Sequence, residues 1–495
     1  MPKRELLAAA LILSFVAITL ASPETANAAF VGVKDQIVLH FDAFFTTAAS
    51  AALLLVVALA LVPRFNVRLG GPQDRPEFTR LSWFSMLLSA GLASGILYWA
   101  TAEPLTHFQS SPHLARSGIE AGTAAAARNA TALTIFHWGL HGWGFYALTG
   151  LSAAFFAYRQ NRPLALSSTV FAPNQTGTAR GLAIAIDLIG VLGTVFGLAT
   201  SMGIAVGAMN AALGELLDLP MSATHQLWIL ALVTALGIGS VVLGLRRGIA
   251  RLSQLNLLMS VALLLAMLLL GPTGFLLGFI ATATTDYALG VLPMGFWTGS
   301  AADDVAWQGA WTVFYWGWWL AWAPSVGLFI ARISRGRTLR EFVTGVLLIP
   351  TAAVILWMAV FGGVALEGEL SGAQSILPVV NDNYALATVA TIRRMDVLAL
   401  PLIVLVTVLL FSWLITSLDS VTLILCTALR SEKQNQSNPQ KALWGSALGL
   451  VTAALIYAGG LDALQAAAII AGLPIALVLL ATAIVLVRAL LQAAD

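Results

Sequence analysis

Trp316, Trp318, Trp319 and Trp322 fall within seven residues of one another. On a helix, Trp318, Trp319 and Trp322 occupy an arc of about 100°. Pro324 follows, removes a backbone donor and allows the helix to bend or open nearby. Interfacial belts put tryptophans at helix ends, so this cluster in the interior of an apolar run fits a belt poorly. A second aromatic stretch reads His137-Trp138-Gly139-Leu140-His141-Gly142-Trp143-Gly144-Phe145-Tyr146. Trp138, Trp143 and Tyr146 share one broad side of a helix, and the glycines between them admit close approach of another helix or a ligand. Two such faces turned toward each other make an aromatic cage.

A quaternary ammonium carries no N–H, so hydrogen bonds cannot hold it. Ring faces can, each contributing up to ~2 kcal/mol once desolvated. The runs 82–102, 131–157 and 308–331 contain no Asp or Glu. A net cation would lack a countercharge there, so a zwitterion bringing its own carboxylate is expected. His137 and His141 stand at i and i+4, a metal-ligand spacing, but no carboxylate follows on the same helix. Histidines hydrogen-bonded between helices are expected instead. Thr416 and Ser417 offer adjacent hard-oxygen donors suited to sodium, although such hydroxyls commonly bond their own helix. Gly91, Ser94 and Gly95, with Ser89 before and Ala93 between them, weaken the middle of one apolar run. Non-helical backbone at that depth marks substrate and ion sites in secondary transporters, and tight helix packing is the alternative.

These residues must be positioned by membrane helices. Of 495 residues, 59% are hydrophobic and 10% charged, and mean hydropathy is +0.88. A soluble domain carries about 25% charged residues. Runs of about 20 apolar residues exclude barrel strands, which alternate over about 10. Cys426 stands alone, which excludes an internal disulfide framework and a cysteine-rich metal site. Twelve spans are expected near 5–22, 44–62, 82–102, 131–157, 181–210, 225–245, 254–280, 308–331, 342–366, 395–428, 442–460 and 463–490. With both termini cytoplasmic, 20 of the 25 basic residues face inward and only Lys34, Arg116, Arg128, Arg393 and Arg394 face outward. Lys3-Arg4, the first apolar run and Ala26-Asn27-Ala28 also read as a cleavable signal peptide. The segment 281–307, without Lys or Arg but with Phe296 and Trp297, is expected to lie at the interface.

The sequence resembles the betaine/carnitine/choline transporter family from about residue 30 onward. The resemblance rests on FYWGWWLAWAP…GLFIARISRGRTLREF, on HWGLHGWGFYAL, on Ala102-Glu103-Pro104-Leu105, and on Ile186-Asp187-Leu188 followed by Gly193-Thr194-Val195-Phe196-Gly197. It implies an all-α, LeuT-like 5+5 inverted repeat. Residues 1–81 would hold two extra N-terminal helices, 82–280 the first repeat, 281–307 the interfacial helix and 308–495 the second repeat. It implies a homotrimer in the bacterial inner membrane, surrounded by lipid, with no nucleic-acid partner and no enzymatic activity. It places the substrate box at Trp138, Trp143, Tyr146 and Trp319, with Trp318 and Trp322 beside it. It places Na+, the coupling ion, on the carbonyls of Ser89, Leu92 and Trp413 and the hydroxyls of Thr416 and Ser417. A second sodium site keeps Thr194 but has Leu198 at its other position. Ser325 replaces a Phe usual in the family. Gly91-Leu92-Ala93-Ser94-Gly95 stands for a Gly-x-Gly-x-Gly pattern, and Gly95 points to a zwitterion rather than choline.

The expected function is sodium-driven uptake of a quaternary-ammonium zwitterion, glycine betaine first. Sodium-independent exchange of carnitine-like substrates, transport of dimethylsulfoniopropionate or choline, and a metalloenzyme built on His137 and His141 are the alternatives.

Overall fold

In hydrocarbon every backbone N–H and C=O must find a partner within the chain, which leaves helices or closed barrels. The computed structural model describes residues 3–91, 94–244, 246–428 and 437–494. Most of them are helical, and their sole β feature is an isolated bridge between Arg68 and Thr338. Eleven helices are long and apolar enough to cross a membrane, or twelve when the bent pair Arg80–Ser89 and Ser94–Gln109 counts as one span.

The total matches the expected twelve, but its membership differs. The fourth span, Ala124–Trp138 and Leu140–Gln160, is not among the apolar crossing helices, whereas Thr273–Gly295 is. Surroundings explain the exchange. Nearly every residue from Ala126 to Phe156 is buried, so this helix pair contacts protein and need not be apolar outside. Thr273–Gly295 keeps Leu277 and Leu289 exposed, at 60% and 76%. The seventh span ends at Leu270 rather than 280, because Gly271-Pro272 breaks the chain before Thr273–Gly295 begins. The segment expected to lie at the interface is therefore that helix, an irregular stretch and Ala302–Gln308.

The first helix, Lys3–Ala21, is built into the bundle. Phe15 stacks on Phe30 at 5.4 Å and meets Phe196 edge-on at 5.0 Å. The buried Glu5 carboxylate accepts from Trp444 Nε1 at 3.2 Å and from Gln440. Arg4 pairs with Asp187, which also accepts from the Ser167 amide and hydroxyl at 3.0 Å each. Ala26-Asn27-Ala28 lies inside the 39-residue helix Pro23–Leu61.

A clasp joins the start of the third span to the loop after the eighth. The Leu69 amide donates to Arg337 O at 2.8 Å, and Leu69 O accepts from the Gly336 amide at 2.7 Å. The buried Arg337 guanidinium lies 4.1 Å over the Trp83 ring and pairs with Glu341 at 2.5 Å. The polar end of the third span is thereby held against the ninth.

Candidate functional site

Both aromatic stretches sit where their helices are irregular. The fourth span breaks at Gly139, and the eighth passes through a π turn, Gly309–Val313, before Phe314–Ile333. Such turns rotate the following side chains relative to a regular helix and recur at functional sites. The two aromatic faces meet. Trp138 lies edge-to-face on Trp318 at 5.6 Å and on Trp319 at 6.2 Å, and Tyr146 lies 4.8 Å from Trp319. A Cβ on Gly142 would stand 2.3 Å from Trp319 Cε2, and one on Gly95 would stand 2.4 Å from Trp318 Cη2. Only glycine leaves room for either indole.

The indoles are locked by their own N–H groups. Trp319 Nε1 donates to the His137 carbonyl at 2.9 Å. Trp318 and Trp322 both donate to Ser201 Oγ, at 3.2 and 3.1 Å. Trp138 Nε1 donates to Glu103 Oε2 at 3.2 Å. With the N–H groups tied back, ring faces remain for a ligand.

Trp138, Tyr146, Trp318, Trp319 and Trp322 line a cavity of about 440 Å³. Trp143 does not line it. That ring is fully buried behind the wall, 5.9 Å from Trp319 and 5.5 Å from Tyr146, and supports both. Away from the rings the cavity is lined by the hydroxyl residues Ser89, Ser253, Ser325, Thr416, Ser417 and Ser420. These neutral donors and acceptors suit a carboxylate or a hard cation.

The candidate ion positions gather on one side. Ser89 and Thr416 line both the main cavity and an adjoining one of about 70 Å³, which Trp413 and Asn256 also line. Thr416 Oγ1 donates to the Ser412 and Trp413 carbonyls at 3.0 Å each, and Ser89 Oγ donates to Ser85 O at 2.9 Å. Ser417 faces the main cavity. Gly91 ends one helix, and the buried Ser94 with Gly95 begins the next. Leu92 and Ala93 lie outside the described residues. Thr194 is buried, bonds Gly190 O at 2.9 Å and lines neither cavity. Neither Ser94–Gln109 nor Ala399–Ala428 contains Lys or Arg, so the oxygen donors have no basic competitor on those helices.

His137 and His141 do not converge. His137 meets Glu103 at 2.6 Å and Thr312 at 3.0 Å, whereas His141 Nε2 meets Ser50 Oγ at 3.2 Å.

Three residues have places at the site that the sequence reading did not assign. Glu103 is a fully buried carboxylate behind Trp138; hydropathy ended the span at 102, but the helix continues through Pro104 to Gln109. The aromatic region therefore does contain an acid. Ser201 follows Thr200 in an otherwise apolar run, and its two indole partners exist only in three dimensions. Asn256, buried and accepting from Ser412 Oγ at 2.5 Å, carried a signal in being an amide within a membrane span.

Comparison with known proteins agrees with this geometry. The profile of the betaine/carnitine/choline family transporters matches residues 5–495. Glycine betaine transporter 1 of Vibrio parahaemolyticus serotype O3:K6 (strain RIMD 2210633) is 37% identical over 485 residues, covering 95% of this chain and 89% of its own. Glycine betaine transporter OpuD of Bacillus subtilis (strain 168) is 37% identical over 450 residues, covering 89% and 86%. The high-affinity choline transport protein of Escherichia coli (strain K12) is 36% identical over 465 residues, covering 90% and 65%. The chain belongs to the betaine/carnitine/choline transporter family, and it is a multi-pass membrane transporter of betaine- and choline-type compounds rather than an enzyme.

Proposed function

We propose that this transporter takes up glycine betaine by sodium symport through alternating access. The observation that carries the reading is the set of ring faces from Trp138, Tyr146, Trp318, Trp319 and Trp322 around one cavity beside a wall of neutral hydroxyls. The rings take the trimethylammonium head by cation–π attraction. The hydroxyls take the carboxylate. Sodium binds where Ser89, Trp413 and Thr416 border the smaller cavity and Ser417 the larger. These are hard neutral oxygens, the ligand type such an ion prefers.

With both termini cytoplasmic, the cavity extends toward the inner side, past Met86, Ser253, Phe329 and Ile424. The outer side is closed by Trp99, Trp311 and Tyr384, with ring centres 5.4 to 6.0 Å apart. This is an inward-facing arrangement. In the cycle, the broken third span and the eighth rock against the other spans, within the inverted-repeat architecture and homotrimer that the resemblance implies. Light scattering in detergent tests the trimer.

The deciding experiment is uptake of radiolabelled glycine betaine into proteoliposomes with and without a sodium gradient. Accumulation that follows the gradient supports symport; uptake indifferent to sodium removes the coupling and leaves the substrate reading intact. Choline is the second reading, favoured by the Glu103 carboxylate behind Trp138, which supplies a countercharge near a net cation.

A further inference from the structure

Glu103 lies in a wholly buried polar cluster, and glycine betaine symport as read above gives it no task. Its side chain is wholly buried, as are those of His107 and His137. Oε2 accepts from two donors, the Tyr315 hydroxyl at 2.5 Å and the Trp138 indole at 3.2 Å. Oε1 meets His137 Nδ1 at 2.6 Å, a separation spanned by one proton. The other His137 nitrogen is engaged by Thr312 at 3.0 Å. His107 Nε2 stands 3.4 Å from Oε1, a longer approach than that of His137.

Other titratable groups nearby are few. Tyr315 comes from the eighth span. Tyr98 lies on the same helix as Glu103. Tyr384 packs on Trp99 and Trp311, and His113 packs on Trp307 at 5.5 Å, the ring that His107 touches at 5.3 Å. His141 stands one turn beyond His137, and the Arg116 guanidinium lies over Trp297 at 5.3 Å. Among the described residues, Glu103 has only His107 and His137 as ion-pair partners.

A carboxylate this deep, facing only neutral imidazoles, would be an uncompensated buried charge, and such charges are strongly disfavoured. One shared proton neutralises the cluster. Because Oε2 is saturated by donors, that proton lies on the line from Oε1 to His137 Nδ1. His107, buried with Nε2 3.4 Å from Oε1, can take a second one. Each added proton makes the region behind Trp138 more positive, on the far side of a ring that faces the cavity.

We propose that Glu103, His137 and His107 form a buried proton-binding site behind the substrate box, antagonistic to the onium head, so that substrate binding expels a proton without either ligand touching the other. The sign follows from charge. The onium and the proton are both positive, so each weakens the other, and by linkage affinity rises with pH. Choline, lacking a carboxylate, responds more steeply than glycine betaine. This rests on the substrate reading above only for the identity of the probes.

The test is isothermal titration calorimetry of the purified transporter with glycine betaine and with choline, from pH 5.5 to 8.5, in buffers of different ionisation enthalpy. Expected are proton release on binding and a dissociation constant that tightens with pH, by at most about tenfold per unit for one proton. Glu103→Gln keeps an acceptor for Trp138 and Tyr315 but cannot ionise, and its profile is flat. Affinity and heat independent of pH and buffer overturn the proposal, as does a wild-type profile retained in Glu103→Gln. If neither compound binds at any pH, the substrate reading fails instead. Infrared difference spectra of the ligand-free protein then decide: carboxyl and imidazole bands that change across this pH range support the site, and unchanged bands overturn it. Those spectra also decide should Glu103→Gln fail to fold.

Discussion

Gly142 lies flat beneath the indole of Trp319, so close that a methyl group on its Cα would stand 2.3 Å from Cε2. The fourth and eighth spans are thus fitted to each other at the box, and a single carbon is enough to separate them.

Gly142→Ala should therefore displace Trp319. Overpacking of this kind costs about 1–3 kcal/mol. The cost falls on the bound geometry, so glycine betaine affinity should drop by roughly tenfold or more. Tryptophan-fluorescence titration checks this. Gly144→Ala, whose nearest neighbour is Leu53 at 3.2 Å and which does not face the box, should keep affinity closer to wild type.

Thr416→Val removes one candidate sodium oxygen and preserves shape. Uptake should then need roughly tenfold more sodium at equal glycine betaine, the effect of about 1.4 kcal/mol. Thr194→Val should change sodium dependence little, because that hydroxyl bonds its own helix and lines neither cavity. Equal shifts in both variants would move the ion to another place.

Part of this was legible from residue types. Trp318, Trp319 and Trp322 share a helical face, and the glycines of the His137–Tyr146 stretch mark a close approach; the structure brings these faces together. Glu103 was not legible, because Pro104 and a polar tail end an apolar run without ending the helix. Trp143 reads like Trp138 in sequence yet lies behind the wall, since periodicity gives a side and not a depth. The fourth span was legible over 131–157, and being surrounded by protein it is free to carry His137 and His141.

Arg337→Ala should destabilise the clasp. The guanidinium is buried over Trp83 and pairs with Glu341. Glu341 is partly exposed, so the loss falls mainly on the desolvated contact with Trp83 and costs roughly 2 kcal/mol. A thermal melt in detergent should show a fall of several degrees, while Arg335→Ala, whose partner Asp74 is 3.2 Å away at the surface, should show little change.

His113 links stability to pH. It lies in the short helix Pro112–Arg116, where burial first, then His137 and Arg116, lower its pKa to about 3. Unfolded, the same ring titrates near 6.5. The unfolded chain therefore binds the proton first, and stability is lost as pH falls from about 6.5 toward 3. Melts at pH 7.5 and 5 should differ, and His113→Phe should narrow the difference.

Glu5 predicts retention of the first helix. Its buried carboxylate serves Trp444 and Gln440, so a chain without residues 1–22 should leave both indole and amide unpaired. Intact-mass spectrometry of the membrane-purified protein should return the N-terminal residues. A mass corresponding to cleavage after Ala28 would overturn this.

The central claim is that ring faces hold a positive head. It is tested most directly by comparing glycine betaine with its carbon isostere 3,3-dimethylbutyrate, which keeps the carboxylate but carries a neutral tert-butyl head, in wild type and Trp319→Leu. Wild type should bind glycine betaine at least tenfold more tightly than the isostere, as a desolvated cation–π contact of ~2 kcal/mol requires, and Trp319→Leu should erase most of that preference. Equal binding of the two compounds, or a preference that survives the loss of Trp319, would contradict it.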